Sequence, residues 1–419
     1  MIWKKLSKEE IRKRVFEALN QNVDFSQGYF LGVPASKLDD KVFYDDAPFL
    51  ENAPFMKTLV ANPNHIGCHT YGESEAFFKG TQQIEKELIR ICAEDILKGD
   101  ENAQDGYVAS GGTEANIQAL WMYRNYFIQE HGASLHEIGV LCSEDTHYSV
   151  YKGCDLLQLD AAPVSVNDNR EIDEISVEKA LKKLEKNGKK YFIVLCNMAT
   201  TMFGSVDNPD IYTNVLRQKQ HPFYIHVDGA YGGFIYPFTT QNEKLTFKNP
   251  HIVSFTLDAH KLAQAPYGTG IFVARKGWMN YTTTQKASYV QGYDSTLIGS
   301  RSGANAVAVW MILSTYGPFL WQEKIEKLMY RTSWVEEKLR ELGIEYYRHP
   351  NLNIITIKAS YLSDSVVQKY HLVPDRHTNP EWYKIVVMEH VDLDVLHQFY
   401  EDLKLSVKEK NTLKKRNSF

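Results

Sequence analysis

The sequence has no apolar run of the ~18 residues that a membrane-spanning helix needs. Its first ten residues, MIWKKLSKEE, lack the apolar segment of a secretory signal. The formal net charge is only −5, because 47 basic and 52 acidic residues are mixed along 419 positions. We therefore expect neither a membrane anchor nor a nucleic-acid partner.

Cysteine is scarce and widely spaced. The chain has five cysteines, an odd number, and no two of them form a C-x-x-C pair. This excludes a disulfide framework and gives no zinc-binding pattern, so no metal site is expected. Cys142 and Cys196 lie in apolar runs, where a buried free thiol is the simplest interpretation. A reducing, cytoplasmic location fits these thiols best.

The sequence does contain enough apolar material for a large buried sheet. Apolar residues make up 43% of the chain, as in ordinary globular proteins. Short apolar runs alternate with helical stretches, which indicates an α/β domain with a mostly parallel sheet covered by helices. The apolar runs lie at 138–142, 191–196, 224–227, 252–257 and 270–274, and the helical stretches at 81–99, 114–126, 177–186 and 210–218.

Three units are expected along the chain. Residues 1–65 form an N-terminal arm with a helix at 8–20, residues 66–302 form the large domain, and residues 303–419 form a small C-terminal α+β domain. The last stretch, from residue 408, is basic and polar and is expected to be a frayed, solvated end. In the small domain we expect strands at 353–358 and 382–388 and helices at 303–342, 362–370 and 392–403.

A Gly-Gly pair opens one of the helical stretches, in the sequence Ser110-Gly111-Gly112-Thr113-Glu114. Two glycines let the backbone approach a ligand closely, and a helix start offers free N–H groups to an anion. A phosphate seat is one interpretation. A simple turn into the helix is the other, and the pattern alone leaves both open.

Three further side chains follow apolar runs, where the carboxyl ends of parallel strands form a ligand crevice. Asp228 could bind a metal, a ribose or a cationic ring nitrogen, or it could cap the next turn. Lys261 is either a desolvated nucleophilic amine or a surface lysine. His147 could stack on an aromatic ligand or be structural. The segment 299–303, GSRSG, is a second anion contact or a helix start with a salt-bridged Arg301.

Taken together, these features narrow the alternatives. A phosphate seat, a stacking histidine, a strand-end aspartate and a strand-end lysine occur in that chain order. Pyridoxal 5′-phosphate (PLP) needs a phosphate cradle, a partner on its ring face, an acidic partner for its ring nitrogen and an amine for its aldehyde. We therefore expect PLP as the cofactor.

The motifs resemble those of the group II PLP-dependent amino acid decarboxylases, over about residues 64–403. The matching segments are GGTEAN at 111–116, THYSVYK at 146–152, TTMFGSVDN at 200–208, HVDGAYGGF at 226–234, DAHK at 258–261 and GSRSG at 299–303. The C-terminal stretch 382–403 looks most like the archaeal tyrosine/aspartate decarboxylases. Two other segments are similar to those of bacterial histidine decarboxylases. The resemblance implies the aspartate aminotransferase-like, type I PLP fold.

The family pattern also implies roles for individual residues. Lys261 would hold the cofactor as a Schiff base, Asp228 would pair with the ring nitrogen, and His147 would stack on the ring. Gly299 and Ser300 would reach the phosphate of the other subunit, which implies a homodimer with shared active sites. The further cofactor contacts implied are Gly112, Thr113 and His260 at the phosphate, with Asp258 nearby, and Thr201 and Ala230 beside the ring.

The expected reaction is decarboxylation of an L-amino acid to an amine and CO₂, with tyrosine, aspartate or glutamate as substrate. A basic wall would indicate an acidic substrate, and an aromatic wall an aromatic one. Segment 281–292 would be a lid that presents Tyr289 or Tyr281 as proton donor, or else an ordered interface loop. The alternatives are a carbon–carbon lyase of the sphingosine-phosphate-lyase type and a non-catalytic PLP-fold binding protein.

Overall fold

Seven strands form the sheet at the centre of the large domain. The computed structural model describes residues 28–32, 79–283 and 293–417, with Glu9, Asp39 and Lys41, and side chains as far as residue 408. The sheet order is β1-β7-β6-β5-β4-β2-β3, and β7 alone runs antiparallel to its neighbours. The strands are β1 Gln104–Ala109, β2 Ile138–Ser143, β3 Asp160–Val164, β4 Tyr191–Asn197, β5 Phe223–Gly229, β6 Ile252–Asp258 and β7 Gly270–Arg275.

The central strands are buried along almost their whole length because both faces of the sheet are covered. In β4, Phe192, Val194 and Cys196 belong to one core, whereas Ile193 and Leu195 belong to the other. This alternation follows from the two-residue period of a strand. The sheet therefore separates two apolar cores, and polar groups can reach a ligand only beyond the strand ends.

Helices pack on both faces. α1 is Lys79–Arg90, extended by a π-helical turn at Ile91–Ile96, and the others are α2 Gly112–His131, α3 Tyr148–Leu157, α4 Glu174–Lys186, α5 Pro209–Gln218 and α6 Tyr236–Thr239. The buried side chains of α2 and α3 join one core, and those of α4 and α5 join the other. Asp173 and Asn208 cap the starts of α4 and α5 by accepting backbone N–H groups.

A second, antiparallel sheet has the order β10-β11-β9-β8, with β8 Tyr346–Tyr347, β9 Ile354–Lys358, β10 Val373–Pro374 and β11 Trp382–Val386. Its helices are α7 Gly303–Glu341, α8 Asp364–Lys369 and α9 Leu393–Asn417. α7 bends at Gly317, which has φ 59° and precedes Pro318. No helix in these described ranges is both long and apolar enough to cross a membrane.

The predicted α/β fold class, with a large mostly parallel sheet and a small α+β unit, is confirmed. Strands β1 and β3 are not predicted from the sequence, because β1 begins with polar residues and β3 contains Pro163 at a sheet edge. The prediction of a frayed end from residue 408 is wrong. Helix α9 continues to Asn417, because its Lys, Leu and Glu residues favour helix. The three domain limits stay predictions, and the helix at 8–20 lies outside the described residues apart from Glu9.

A buried ion pair joins the GSRSG segment to the sheet. The guanidinium of Arg301 binds the Glu85 carboxylate, with Nη2 at 3.3 Å from Oε2, and both side chains are almost fully buried. Glu85 Oε1 also accepts the backbone N–H of Val108 in β1 at 2.7 Å. The salt-bridged Arg301 considered in the sequence is thus confirmed, and it anchors the start of α7.

We expect Glu85→Ala to lower the free energy of unfolding by about 3–5 kcal/mol, because it leaves the Arg301 charge buried without its carboxylate. Urea unfolding followed by circular dichroism measures this. Asp100→Ala, which removes half of an exposed pair with Lys248, is the control and should change little. Equal effects of the two substitutions would show that the buried pair does not hold this part of the fold.

Candidate active site

A cavity of about 340 Å³ lies at the carboxyl ends of β4, β5 and β6. Asn197, Asp228 and Asp258, the polar residues at or next to these strand ends, all line it. Eight residues predicted from the sequence also share this one wall: Gly112, Thr113, His147, Thr201, Asp228, Ala230, His260 and Lys261. The predicted convergence of these side chains is therefore observed, whereas their roles toward a cofactor stay predictions.

The glycine pair lies at the N-terminal end of α2 and faces the cavity. A Cβ added to Gly112 would lie 2.9 Å from Asp258 Oδ2 and 3.3 Å from Ala230 Cβ, so only glycine leaves this space open. Gly270 of β7 allows the close approach, because a Cβ there would lie 2.5 Å from Gly111 backbone atoms. The free N–H groups of a 20-residue helix face an anion placed in this space.

Asp228 is the next-to-last residue of β5, and two neutral donors hold its carboxylate. Oδ2 accepts from Asn116 Nδ2 at 2.8 Å, and Oδ1 accepts from the backbone N–H of Ala230 at 3.0 Å. Each carboxylate oxygen can accept more than one hydrogen bond, so this arrangement leaves capacity for a donor in the cavity. A protonated ring nitrogen is such a donor.

His147 caps the N-terminus of α3 and lines the same cavity. Its Nδ1 lies 2.8 Å from Ser149 Oγ and accepts the backbone N–H of Ser149 at 3.3 Å. Burial lowers the pKa of His147, although the charge of Asp228 acts in the opposite direction. A neutral imidazole in this place can lie against an aromatic ring without adding a positive charge.

Lys261 follows β6, and its Nζ lies 3.1 Å from Asp258 Oδ2. The amine therefore faces the cavity rather than bulk solvent, and about a quarter of the side chain is exposed. His260 lies beside it, with Nε2 at 3.7 Å from the same oxygen, and burial lowers the pKa of its imidazole. Asp258, expected only near the phosphate, is thus the ionic partner of the lysine.

The edge of the cavity near Thr201 contains residues that the sequence interpretation missed. Lys384 of β11 is buried and donates from Nζ to the Thr201 carbonyl at 2.9 Å. Burial, and secondarily the charge of Lys261, lower the pKa of Lys384 to about 8. Ile354 of β9 also lines the cavity. The sequence signal for Lys384 was a lysine between apolar residues of a predicted strand. No sequence signal indicated that Ile354 would line the cavity.

Three predicted residues do not line this cavity. Gly299 and Ser300 lie in the partly exposed segment before α7. Tyr281 is directed elsewhere: its hydroxyl donates to Glu130 at 2.9 Å, so it is not positioned as a proton donor in the cavity of its own chain. Tyr289 and most of the predicted lid, 284–292, lie outside the described residues.

The residues present fit pyridoxal 5′-phosphate. His260 Nδ1 is buried and, within the described part of the chain, has no hydrogen-bond partner. Next to it, Gly111 and Gly112 leave a space that a Cβ would fill, at the positive end of α2. This space would hold the phosphate, Asp228 would face the ring nitrogen, and Lys261 would face the aldehyde.

We expect Gly112→Ala to weaken PLP binding by about 5- to 150-fold, because overpacking a closed space costs about 1–3 kcal/mol. Titration of the apoprotein with PLP, followed by visible absorbance, gives the dissociation constant. Gly80→Ala is the matched control, since a Cβ there meets nothing within 4 Å. Unchanged affinity in Gly112→Ala would place the phosphate elsewhere.

Comparison with known proteins gives a consistent result. The pyridoxal-dependent decarboxylase conserved domain matches residues 83–348. The chain is 49% identical over 410 residues to the tryptophan decarboxylase of Clostridium sporogenes (strain ATCC 15579), covering 97% of this chain and 98% of that protein. It is 27% identical over 406 residues to the L-aspartate decarboxylase of Thermococcus kodakarensis, covering 95% and 97%.

Solved structures show the same fold. The L-methionine decarboxylase of Streptomyces sp.590, in complex with L-methionine methyl ester, superposes with a TM-score of 0.78 at 20% identity over 95% of each chain. The Lactobacillus brevis glutamate decarboxylase gives 0.75 at 19% identity, over 98% of this chain and 94% of that one. The expected type I PLP fold is therefore confirmed. With the family domain matched over residues 83–348, this chain belongs to the pyridoxal-dependent decarboxylases and is a PLP-dependent amino acid decarboxylase.

Proposed function

We propose that this enzyme decarboxylates L-tryptophan to tryptamine and CO₂. The 49% identity with a tryptophan decarboxylase over nearly the whole of both chains supports this substrate. It takes the place of the tyrosine, aspartate or glutamate expected from the sequence. The identity alone does not select the substrate, so the wall of the cavity carries the argument.

The described part of the cavity wall includes aromatic and apolar side chains beside the polar groups at the strand ends. Tyr148, Tyr267 and Ile354 line it, and Tyr267 is 88% exposed. Among the described lining residues the basic side chains are His147, His260 and Lys261, which the cofactor would occupy. The other cation near this wall is Lys384, which is buried and donates to the Thr201 carbonyl at 2.9 Å, so a side-chain carboxylate of aspartate or glutamate would compete with that carbonyl for its ammonium group. An aromatic side chain would bury apolar surface against the tyrosines.

The bound cofactor supplies an electron-withdrawing ring that accepts the electrons left when the Cα–carboxylate bond breaks. The chain's own residues prepare that chemistry. Asp228 would hold a proton at the ring nitrogen, because its carboxylate is a buried acceptor of a positively charged donor. His147 would lie against the ring and exclude water there. Lys261 would provide the amine that holds the cofactor.

We expect tryptamine and CO₂ in equal amounts from L-tryptophan, with kcat/KM at least about tenfold above that for tyrosine, aspartate or glutamate. Mass identification of products from a panel of amino acids, with trapping of CO₂, measures this. Lys261→Ala should lower turnover by about three orders of magnitude or more. Lys276→Ala, which removes an exposed lysine, is the control.

Each alternative gives a different result in the same assay. A carbon–carbon lyase would release an aldehyde or ketone without CO₂. A non-catalytic binding protein would give no product, even when loaded with PLP. Amine and CO₂ from aspartate or glutamate, but not from tryptophan, would overturn the substrate and leave the decarboxylase assignment standing.

We further propose that the working unit is a cytoplasmic homodimer in which Gly299 and Ser300 complete the partner's site. Large apolar side chains are exposed next to these residues and at the cavity rim, including Leu297, Ile298 and Tyr148. Such a patch is typical of a surface that another chain covers. Four described cysteines are buried and unpaired, which supports a reducing location.

Subunit mixing tests the shared site. We expect Ser300→Trp and Lys261→Ala each to be inactive alone, whereas a hybrid dimer regains up to about half of the parent activity per dimer. In the hybrid, the intact Lys261 of one protomer meets the intact Ser300 of the other. If Ser300 served its own chain's site, both sites of the hybrid would be defective and no activity would return.

A further inference from the structure

Asn116 lies on α2, one turn beyond the glycine pair, and is 1% exposed. Its amide nitrogen donates to Asp228 Oδ2 at 2.8 Å and to Ser149 Oγ at 2.9 Å. Its carbonyl oxygen accepts from Thr256 Oγ1 at 2.8 Å and lies 3.0 Å from His226 Nε2. A primary amide has two donors and two acceptor positions, so Asn116 uses all four.

The orientation of this amide is determined by its surroundings. If the oxygen and nitrogen of Asn116 were exchanged, the oxygen would face the Asp228 carboxylate, which only accepts. A buried pair of acceptors without a proton between them is unfavourable. Asn116 must therefore present its NH₂ group to Asp228 and Ser149, and its oxygen to Thr256 and His226.

This orientation propagates to His147. Because Ser149 Oγ accepts from Asn116, its own hydroxyl hydrogen is available for His147 Nδ1, at 2.8 Å. The backbone N–H of Ser149 donates to the same nitrogen. Because this N–H can only donate, Nδ1 is an acceptor that the N–H and the hydroxyl share, and the hydrogen of a neutral imidazole lies on Nε2.

The other side of Asn116 carries no positive charge. Burial lowers the pKa of His226 to about 4, so its ring is neutral at physiological pH. Its Nε2 lies 3.0 Å from both Asn116 Oδ1 and Thr256 Oγ1, and its Nδ1 lies 2.7 Å from Ser254 Oγ. The donors to Asp228 are the Asn116 amide and the Ala230 N–H, which are neutral groups that orient its carboxylate without neutralising it.

We propose that Asn116 is a positioning residue that orients two cofactor-facing groups with one amide. It fixes the rotation of the Asp228 carboxylate toward the ring nitrogen, and through Ser149 it fixes the Nε2–H tautomer of His147. His147 thereby presents an N–H donor on the ring nitrogen that is not bound to Ser149. This role concerns the cofactor site and does not depend on which amino acid is the substrate.

Three variants separate the two effects of Asn116, which are the branch to Asp228 and the branch through Ser149 to His147. Asn116→Asp keeps the size and the accepting oxygens but removes both donors, and Asn116→Ala removes the whole amide. Ser149→Ala breaks only the branch to His147. Asn125→Asp makes the same change on α2 at a site where the amide binds the Tyr281 carbonyl, so it serves as the control.

We expect the PLP dissociation constant to rise about 10- to 100-fold in Asn116→Asp and Asn116→Ala, because a hydrogen bond to a charged group is lost. The rise should be smaller in Ser149→Ala and absent in Asn125→Asp. The pH dependence of the visible absorption of bound PLP should also shift in both Asn116 variants, since Asp228 would hold the ring proton less well.

The tautomer of His147 can be measured directly. It would not change if Asn116 only stabilised the fold. In ¹⁵N-histidine-labelled apoprotein, with the His147 signals assigned by their loss in His147→Gln, the parent should show Nε2 protonated. In Asn116→Asp and Ser149→Ala the 2.8 Å hydroxyl contact is loosened or lost and the longer backbone contact at 3.3 Å remains, so a share of the Nδ1-protonated tautomer should appear. If one variant does not fold, the other still tests this branch.

Two results would overturn the proposal. One is PLP affinity and absorption in Asn116→Asp that match those of the parent. The other is an unchanged His147 tautomer in Asn116→Asp and Ser149→Ala. Neither measurement uses an amino acid substrate, so a failure of the tryptophan assignment would leave them unaffected.

Discussion

The site depends on one constraint, which is that strands buried on both faces can expose functional groups only at their ends. β4, β5 and β6 run parallel and end together, so Asn197, Asp228 and Asp258 face one cavity. Each lies at or next to the last residue of a strand whose apolar side chains are packed in the two cores. The strong packing of the sheet thus fixes the polar groups of the site in relation to one another, which a surface loop could not do.

Much of this arrangement could be predicted because it depends on local sequence. An apolar run followed by Asp228, or by Asp258 and Lys261, marks a strand end, and a Gly-Gly pair before a helical stretch marks a helix start. These features together then predicted the cofactor, and the resemblance supplied the roles of individual residues. The seven-stranded sheet was less predictable. Strand β1 can pair with β7 only because residue 106 is glycine, since a Cβ there would lie 2.1 Å from the Phe272 carbonyl oxygen. Such a close contact between distant segments leaves no local pattern.

The contacts that the sequence did not reveal connect residues far apart along the chain. Asn116 and Asp228 are 112 positions apart, and Lys384 reaches Thr201 across 183 positions. Asn116 stands inside a quoted motif, yet nothing in the motif indicates which partner its amide binds. Tyr281 shows the reverse case, because one of the two alternatives for its loop placed it at the site, whereas its hydroxyl donates to Glu130. Local sequence predicts which residues are polar at strand ends, but pairing across the fold decides which of them act together.

The groups that would hold PLP and the groups that would meet the substrate side chain lie on different elements of the fold. This difference explains how one family can act on different amino acids. The groups that would hold PLP come from the strand ends and from the start of α2, which the two cores keep in place. The groups that would meet a side chain, such as Tyr148, Tyr267 and Ile354, come from a helix start, a loop and the small sheet. A change in these three elements alters what the cavity accepts and leaves the Asn116 hydrogen bonds intact. Substrate choice can therefore change while the chemistry at the cofactor stays the same, because the two are built on different elements of the fold.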